Sequence, residues 1–427
     1  MVYRDFDVLF ERAGECYQIK VLNSPAGQTT GQFKLPFSEL ELENLLLRVG
    51  RPRRGVRRID SPEMDAVKQF GGRLFESVFD GEVGQCLRAS LDEVEQKEHG
   101  LRLRLRLTDV PELADLPWEY IYNPSLNRFL SLSISSPIVR YLELSVRHRP
   151  LEVKPPLRVL VMISSPYNFP KLDVEQEWAK LKHAFAEFEK DGQVVLERME
   201  NATLATLQRH LRKKRYHIFH FMGHAGFVQQ AQDGVLILED EQDRGRPVSA
   251  QYLGTLLHDH PSLRLALLNA CEGARASRND PFSGTAQSLV QQGLPAVIAM
   301  QFEVTDEASI TFSQWFYEFL AKGHPVDECL SEARKAIFTQ GNDIEWGTPV
   351  LYMRAPDGRI FDIQPRTEEK KNEHPSHQTD LSDDETVHFS VSSLFAYCNV
   401  IRLLQFKIRE GFAQFFIQNH RVDYNPS

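Results

Sequence analysis

A regular alternation of buried strands and amphipathic helices, beginning at Leu157, constrains this chain more than any other feature. Leu157-Arg158-Val159-Leu160-Val161-Met162-Ile163 is an almost continuous apolar run, as expected of a parallel strand covered on both faces. A helix is predicted from Asp173, whose side chain can cap free amides, with Trp178, Leu181, Phe185 and Phe188 as its apolar stripe. The unit then recurs. Strand 194–196, a capped helix 201–212, strand 217–221 and a hairpin arm at 235–238 are followed by strand 265–269, helix 284–292, strand 296–301 and helix 307–321. This order predicts an α/β fold: a mostly parallel sheet flanked by helices, with reactive groups gathered at the carboxyl ends of its strands.

Residues 1–150 read as a separate N-terminal α+β domain, regulatory or docking in role. Tyr17–Leu22 and Gln32–Phe37 flank the turn-rich Asn23-Ser24-Pro25-Ala26-Gly27, which predicts a hairpin. Val67, Phe70, Leu74, Phe75, Val78 and Phe79 recur at helical spacing, with Pro62 suited to a first turn. Leu101 to Leu107 alternates strictly, which predicts a strand with its leucines inward and Arg102, Arg104 and Arg106 on a solvated face. The second basic cluster, Arg51 to Arg58, holds Pro and Gly but no aromatic, and reads as an exposed loop. After residue 363 a charged, apolar-poor stretch (364–388) predicts a disordered linker, and 389–427 an apolar tail of helical spacing.

Composition narrows the function. Hydrophobic residues make up 42% of 427 and charged residues 26%, which fits a folded globular chain and excludes a wholly disordered or membrane-embedded one. With 50 Lys+Arg against 59 Asp+Glu the net charge is -9, so no direct nucleic-acid partner is expected. Cys16, Cys86, Cys271, Cys329 and Cys398 are odd in number, far apart and without a CxxC, which signals neither disulfides nor zinc. No membrane span and no signal peptide are apparent, so a cytoplasmic location is expected. Neither a P-loop nor a GxSxG is present, and no cofactor is implied. The series His217, His220, His224 lacks metal-ligand spacing, so no metal site is expected.

Two strands end in polar, glycine-containing turns: His220-Phe221-Met222-Gly223-His224-Ala225-Gly226 and Leu268-Asn269-Ala270-Cys271-Glu272-Gly273. Neighbouring parallel strands would bring these ends together, giving His224 and Cys271 the arrangement nucleophilic catalysis needs. A nearby imidazole or helix N-terminus would favour the thiolate, and the backbone amides of Ala225 and Cys271 are candidate oxyanion donors. Glu303 and Asp306, after the next strand, are candidates for a pocket that takes a basic residue. Taken alone, a cysteine or a histidine at a strand end is more often core filler than catalyst.

Asn269-Ala270-Cys271-Glu272-Gly273 resembles the caspase nucleophile pattern, with its histidine about fifty residues upstream. Together with His220-Phe221-x-Gly223-His224 and Gly293-x-Pro295-Ala296-Val297, it is similar to the CHAT family, caspase-like cysteine peptidases, over residues 157–363. Leu116-Pro117-Trp118-Glu119 also looks like a segment found upstream in such proteins. The resemblance implies a caspase-like peptidase domain over 155–363 that cleaves protein substrates. It also implies latency until an activating or sensor protein binds, in bacterial defence or cell death. Ala225 departs from the family's usual glycine. The alternative function is a non-catalytic caspase-like scaffold.

Overall fold

The computed structural model describes residues 1–50, 61–144, 148–228, 233–270 and 283–364. The basic cluster 51–58, the predicted linker from residue 365 on and the predicted tail lie outside the described residues.

Strands β1 (Tyr3–Ala13), β2 (Cys16–Asn23) and β3 (Thr29–Phe33) form an antiparallel meander, the predicted hairpin appearing as β2 against β3 with Tyr17 opposite Phe33. The periodic stretch before residue 97 is two helices, which follow α1 (Glu39–Val49). Ser61 caps α2 (Pro62–Val78) by accepting from the Met64 amide, and α3 (Gly81–Gln96) starts at Gly81, whose φ of +51° turns the chain. Strands β4 (Gly100–Arg106) and β5 (Ile138–Tyr141) complete this half.

The alternating half contains β6 (Leu157–Ile163), α4 (Val174–Lys190), β7 (Val194–Arg198), α5 (Leu204–Lys213) and β8 (Ile218–Gly223). Next come three antiparallel strands, β9 (Ala225–Val228), β10 (Asp233–Glu239) and β11 (Gly245–Ser249), which form a sheet of their own. Then follow α6 (Ala250–His258), β12 (Leu265–Ala270), α7 (Ser283–Gln291), β13 (Ala296–Met300), α8 (Asp306–Ala321), α9 (Val326–Thr339) and β14 (Pro349–Met353). The Asp173 cap is present, accepting from the Gln176 amide at 3.0 Å. The next helix begins later than expected, because Thr203 rather than Asn201 caps it.

All of β1 to β8 and β12 to β14 share one sheet in the order β7-β6-β8-β12-β13-β14-β5-β4-β1-β2-β3. It is antiparallel at β13–β14, β1–β2 and β2–β3 and parallel at every other pairing. The expected class is therefore what the chain adopts, an α/β protein with a mostly parallel sheet flanked by helices. One face packs Ile218, Leu265 and Ile298 against Phe185 of α4 and Phe316 of α8. The other packs Phe219, Phe221 and Leu268 against Leu207 of α5, Leu253 of α6 and Leu289 of α7. Each such buried side chain contributes about 1.5–3 kcal/mol.

The expectation of a solvated arginine face on β4 is overturned. Arg102 is 2% exposed, its Nε donating to Asp327 at 2.6 Å and its Nη2 to the Asp357 carbonyl at 2.9 Å. Arg104 pairs with Asp5 at 2.9 Å, and Arg106 binds both Asp7 oxygens at 2.6 Å. The strand is interior, and the start of α9 with the 356–357 turn covers the face that alternation alone assigns to water. A second buried cluster centres on Glu119, whose carboxylate accepts from Arg140 of β5 and from Gln301, which follows β13, at 3.1 Å each. Trp118 beside it is fully buried against Phe10.

Removing one partner of a buried pair strands the other charge. Arg102→Met is therefore expected to cost about 3–5 kcal/mol in denaturant unfolding, and Arg102→Met with Asp327→Leu to recover most of that loss. An equal loss in the double variant would show that side-chain volume, not the ion pair, anchors α9 to β4.

Candidate active site

Two strand exits define the site. β8 and β12 are parallel and in register from Ile218 opposite Leu265 to Gly223 opposite Ala270, so the chain leaves both at one level of the sheet's carboxyl edge. His224 is the next residue after the first exit. Cys271, next in sequence after Ala270, lies outside the described residues.

His224 is buried, with Nε2 2.8 Å from the Pro170 carbonyl oxygen and its ring tilted 32° against Phe169 at 5.5 Å between centroids. A carbonyl only accepts, so Nε2 carries the proton, and in the neutral ring Nδ1 keeps its lone pair. The imidazole is thus oriented through Nε2, and in the neutral ring Nδ1 is the nitrogen that can accept a proton. The sequence motif marks the histidine but neither support, since nothing in Phe169-Pro170 distinguishes it from any other loop after a strand.

The loop that supplies these supports is fastened at several points. The Ser164 amide donates to the Met222 carbonyl at 2.9 Å and its hydroxyl to the Ile237 carbonyl at 2.8 Å. The Ser165 amide donates to Glu239 at 2.9 Å, and the Gly245 amide to Asn168 at 2.6 Å. The Ser164-Ser165 pair is thus spent on holding the loop to β8 and β10. Two glycines are required by close approach: a Cβ at Gly223 would lie 2.7 Å from the Phe221 ring, and one at Gly245 would collide with the Phe169 ring.

Ala225 opens β9, paired with Leu236, so strand geometry rather than a left-handed backbone is asked of it. Glu303 is half-buried after β13 and engaged with neighbouring groups. Asp306 is the first residue of α8 and is bound by Lys180 at 2.6 Å, a lysine that also holds Glu177. Glu303 and Asp306 therefore stand at the same carboxyl edge as His224, with Asp306 sharing Lys180 with Glu177.

The other two histidines point elsewhere. His220 is buried on the α4/α8 face, its Nδ1 3.1 Å from the Tyr317 hydroxyl, and burial pushes its pKa down to about 3. His217 accepts from the Arg158 amide at 2.9 Å, and burial together with the Arg158 charge pushes it down to about 4.

The chain belongs to the CHAT domain family, whose model, described as "CHAT domain", matches residues 70–379. Among curated proteins none matches the sequence. Several solved structures are similar at low identity. A Saccharomyces cerevisiae separase–securin complex is 16% identical over 78% of this chain and 21% of that chain, with a TM-score of 0.35. The Arg-specific cysteine proteinase gingipain R is 11% identical over 75% and 76%, at 0.34. A complex of Porphyromonas gingivalis RgpB pro- and mature domains is 12% identical over 76% and 77%, at 0.37. The chain therefore spans about a fifth of the separase chain it matches. Among the described residues no helix is long and apolar enough to cross a membrane.

Two outcomes follow from the geometry. Gly245→Val should displace Phe169 and with it the His224 ring; in 15N-histidine NMR the slowly exchanging Nε2 proton expected of His224 should then vanish, and an unchanged signal would refute the packing argument. His220 is depressed from 6.5 to about 3, so as pH falls the unfolded chain takes up the proton first. Stability from this group is intact above pH 6.5 and lost between 6.5 and about 3. His220→Gln should therefore show a shallower fall of unfolding midpoint across that window.

Proposed function

We propose that the chain is a cysteine endopeptidase of the caspase-like CHAT type in which His224 and Cys271 act as a dyad on protein substrates. The observation that carries this reading is the register of β8 and β12, which ends both strands at one level immediately before these two residues. The Cys271 thiolate attacks the scissile carbonyl carbon, and the oxyanion is held by the backbone amides of Ala225 and Cys271. His224 Nδ1, its lone pair left free by the Nε2 bond to Pro170, takes the thiol proton and returns it to the leaving amine. Water then hydrolyses the thioester, with His224 as base.

Glu303 and Asp306 are the candidates for reading a basic substrate residue, which at Asp306 would compete with Lys180. Family membership supports the further reading that the chain stays latent until an activating protein engages it, in a bacterial defence or cell-death pathway.

The test needs no known substrate. Cys329 is fully buried, and burial, reinforced by Asp327 and Glu328, pushes its thiol well up, so it should be inert. Brief iodoacetamide treatment near neutral pH should label Cys271 ahead of Cys16 and Cys86, and His224→Ala should slow that labelling. Once a cleaved peptide is in hand, Cys271→Ala and His224→Ala should each abolish cleavage by several orders of magnitude, with the double variant losing little more. Labelling of Cys271 only on unfolding, with or without candidate partners, would assign the chain to the scaffolds.

A further inference from the structure

We propose that the opposite edge of the sheet carries an anion site, in which Arg158, Arg264 and Arg354, with His217 among them, take an oxyanion of the phosphate class. The residues form a row where the parallel strands β6, β8, β12 and β13 begin and β14 ends. His217 donates its amide to the Arg158 carbonyl and Arg264 donates to that of His217, both at 2.9 Å. Across the next strand the Ala296 amide donates to the Arg264 carbonyl at 3.3 Å, and the Arg354 amide to that of Pro295 at 3.0 Å. The row thus crosses five neighbouring strands at the end of the sheet away from His224.

Its charges are not compensated. The chain has 59 acidic residues against 50 basic ones, yet among the described residues no ion pair involves Arg158, Arg264 or Arg354. The Nε atoms of Arg264 and Arg354 are buried without a hydrogen-bond partner. Arg354 donates from Nη2 to the Gly293 carbonyl at 2.8 Å, and Arg264 reaches the His148 ring at 3.4 Å. Burial and then the charge of Arg354 lower the pKa of Arg264, and no carboxylate offsets this. Asp357 acts on the cluster through His148 alone, which stays depressed by burial and by both arginines.

Such a half-buried pair of like charges costs stability unless something neutralises it. Guanidinium forks match phosphate oxygens, and His217, neutral with Nδ1 accepting from a backbone amide, carries its proton on Nε2 and stands on the strand between those of Arg158 and Arg264. Arg264 and Arg354 stand two strands apart, roughly 10 Å at the usual strand spacing, which suits an anion with more than one charged group. A diphosphate has that reach.

The test uses the full chain with inorganic pyrophosphate in calorimetry and thermal unfolding, and sodium chloride at matched ionic strength as control. Saturable one-site binding that raises the unfolding midpoint is expected. Arg264→Met should weaken it about tenfold or more, as expected for loss of a charge-assisted contact, and leave the ligand-free chain at least as stable. Arg264 is the cleaner choice, because Arg354→Met also loses the Gly293 bond. Tighter binding of ADP would assign a nucleotide diphosphate as the source, equal binding a free diphosphate. Absence of saturable binding, unchanged affinity in Arg264→Met, a destabilised ligand-free variant, or binding of an acidic peptide in place of pyrophosphate would each overturn the proposal. Binding should be the same in Cys271→Ala, so this result and the peptidase assignment stand or fall separately.

Discussion

The in-register parallel pairing of β8 with β12 is the constraint on which the rest depends. It is fixed by burial on both faces: Phe219 and Phe221 go to the side of α5, α6 and α7, while Ile218, His220 and Met222 go to the side of α4 and α8. A slip of one residue would exchange these sets, driving aromatic rings into the place of smaller groups and His220 away from Tyr317. The core therefore sets the level at which the strand exits, and the position of His224 inherits it. His224 is then oriented by a carbonyl and a ring from the loop after β6, a third strand whose own pairing with β8 keeps that loop near.

Much of this is legible in the sequence. The apolar run at Leu157–Ile163, the Asp173 cap and the strand–helix alternation identify the sheet because a strand covered on both faces leaves no polar alternation to read. The failures share a physical cause. Arg102, Arg104 and Arg106 alternate with leucines as a solvated face would, but their cover comes from Asp327 and the 356–357 turn, more than 200 residues away in sequence. The supports of His224 escaped for the same reason. The Pro170 carbonyl is a backbone atom present at every residue, and only the tertiary path of the loop gives it a role.

The N-terminal half and the row at the sheet's lower edge treat buried charge in opposite ways. On β4 every guanidinium has a carboxylate, so the charges act as a latch between β1, β4 and α9. Along Arg158, Arg264 and Arg354 no carboxylate pairs among the described residues.

Segment 70–379 is what the family has in common, yet the sheet does not respect that boundary. Strand β1 lies outside it and pairs with β4 from Tyr3 opposite Gly100 to Leu9 opposite Arg106, supplying Asp5 and Asp7 to the arginines. A chain trimmed to the shared segment would present β4 as a raw edge, with unsatisfied amides and with Arg104 stripped of its carboxylates, an invitation to pair with other chains. The first thirty-odd residues are therefore part of the folding unit of this chain, although the shared segment begins after them. A domain inserted into this unit would be accommodated in its surface loops, but not between β3 and the sheet it completes.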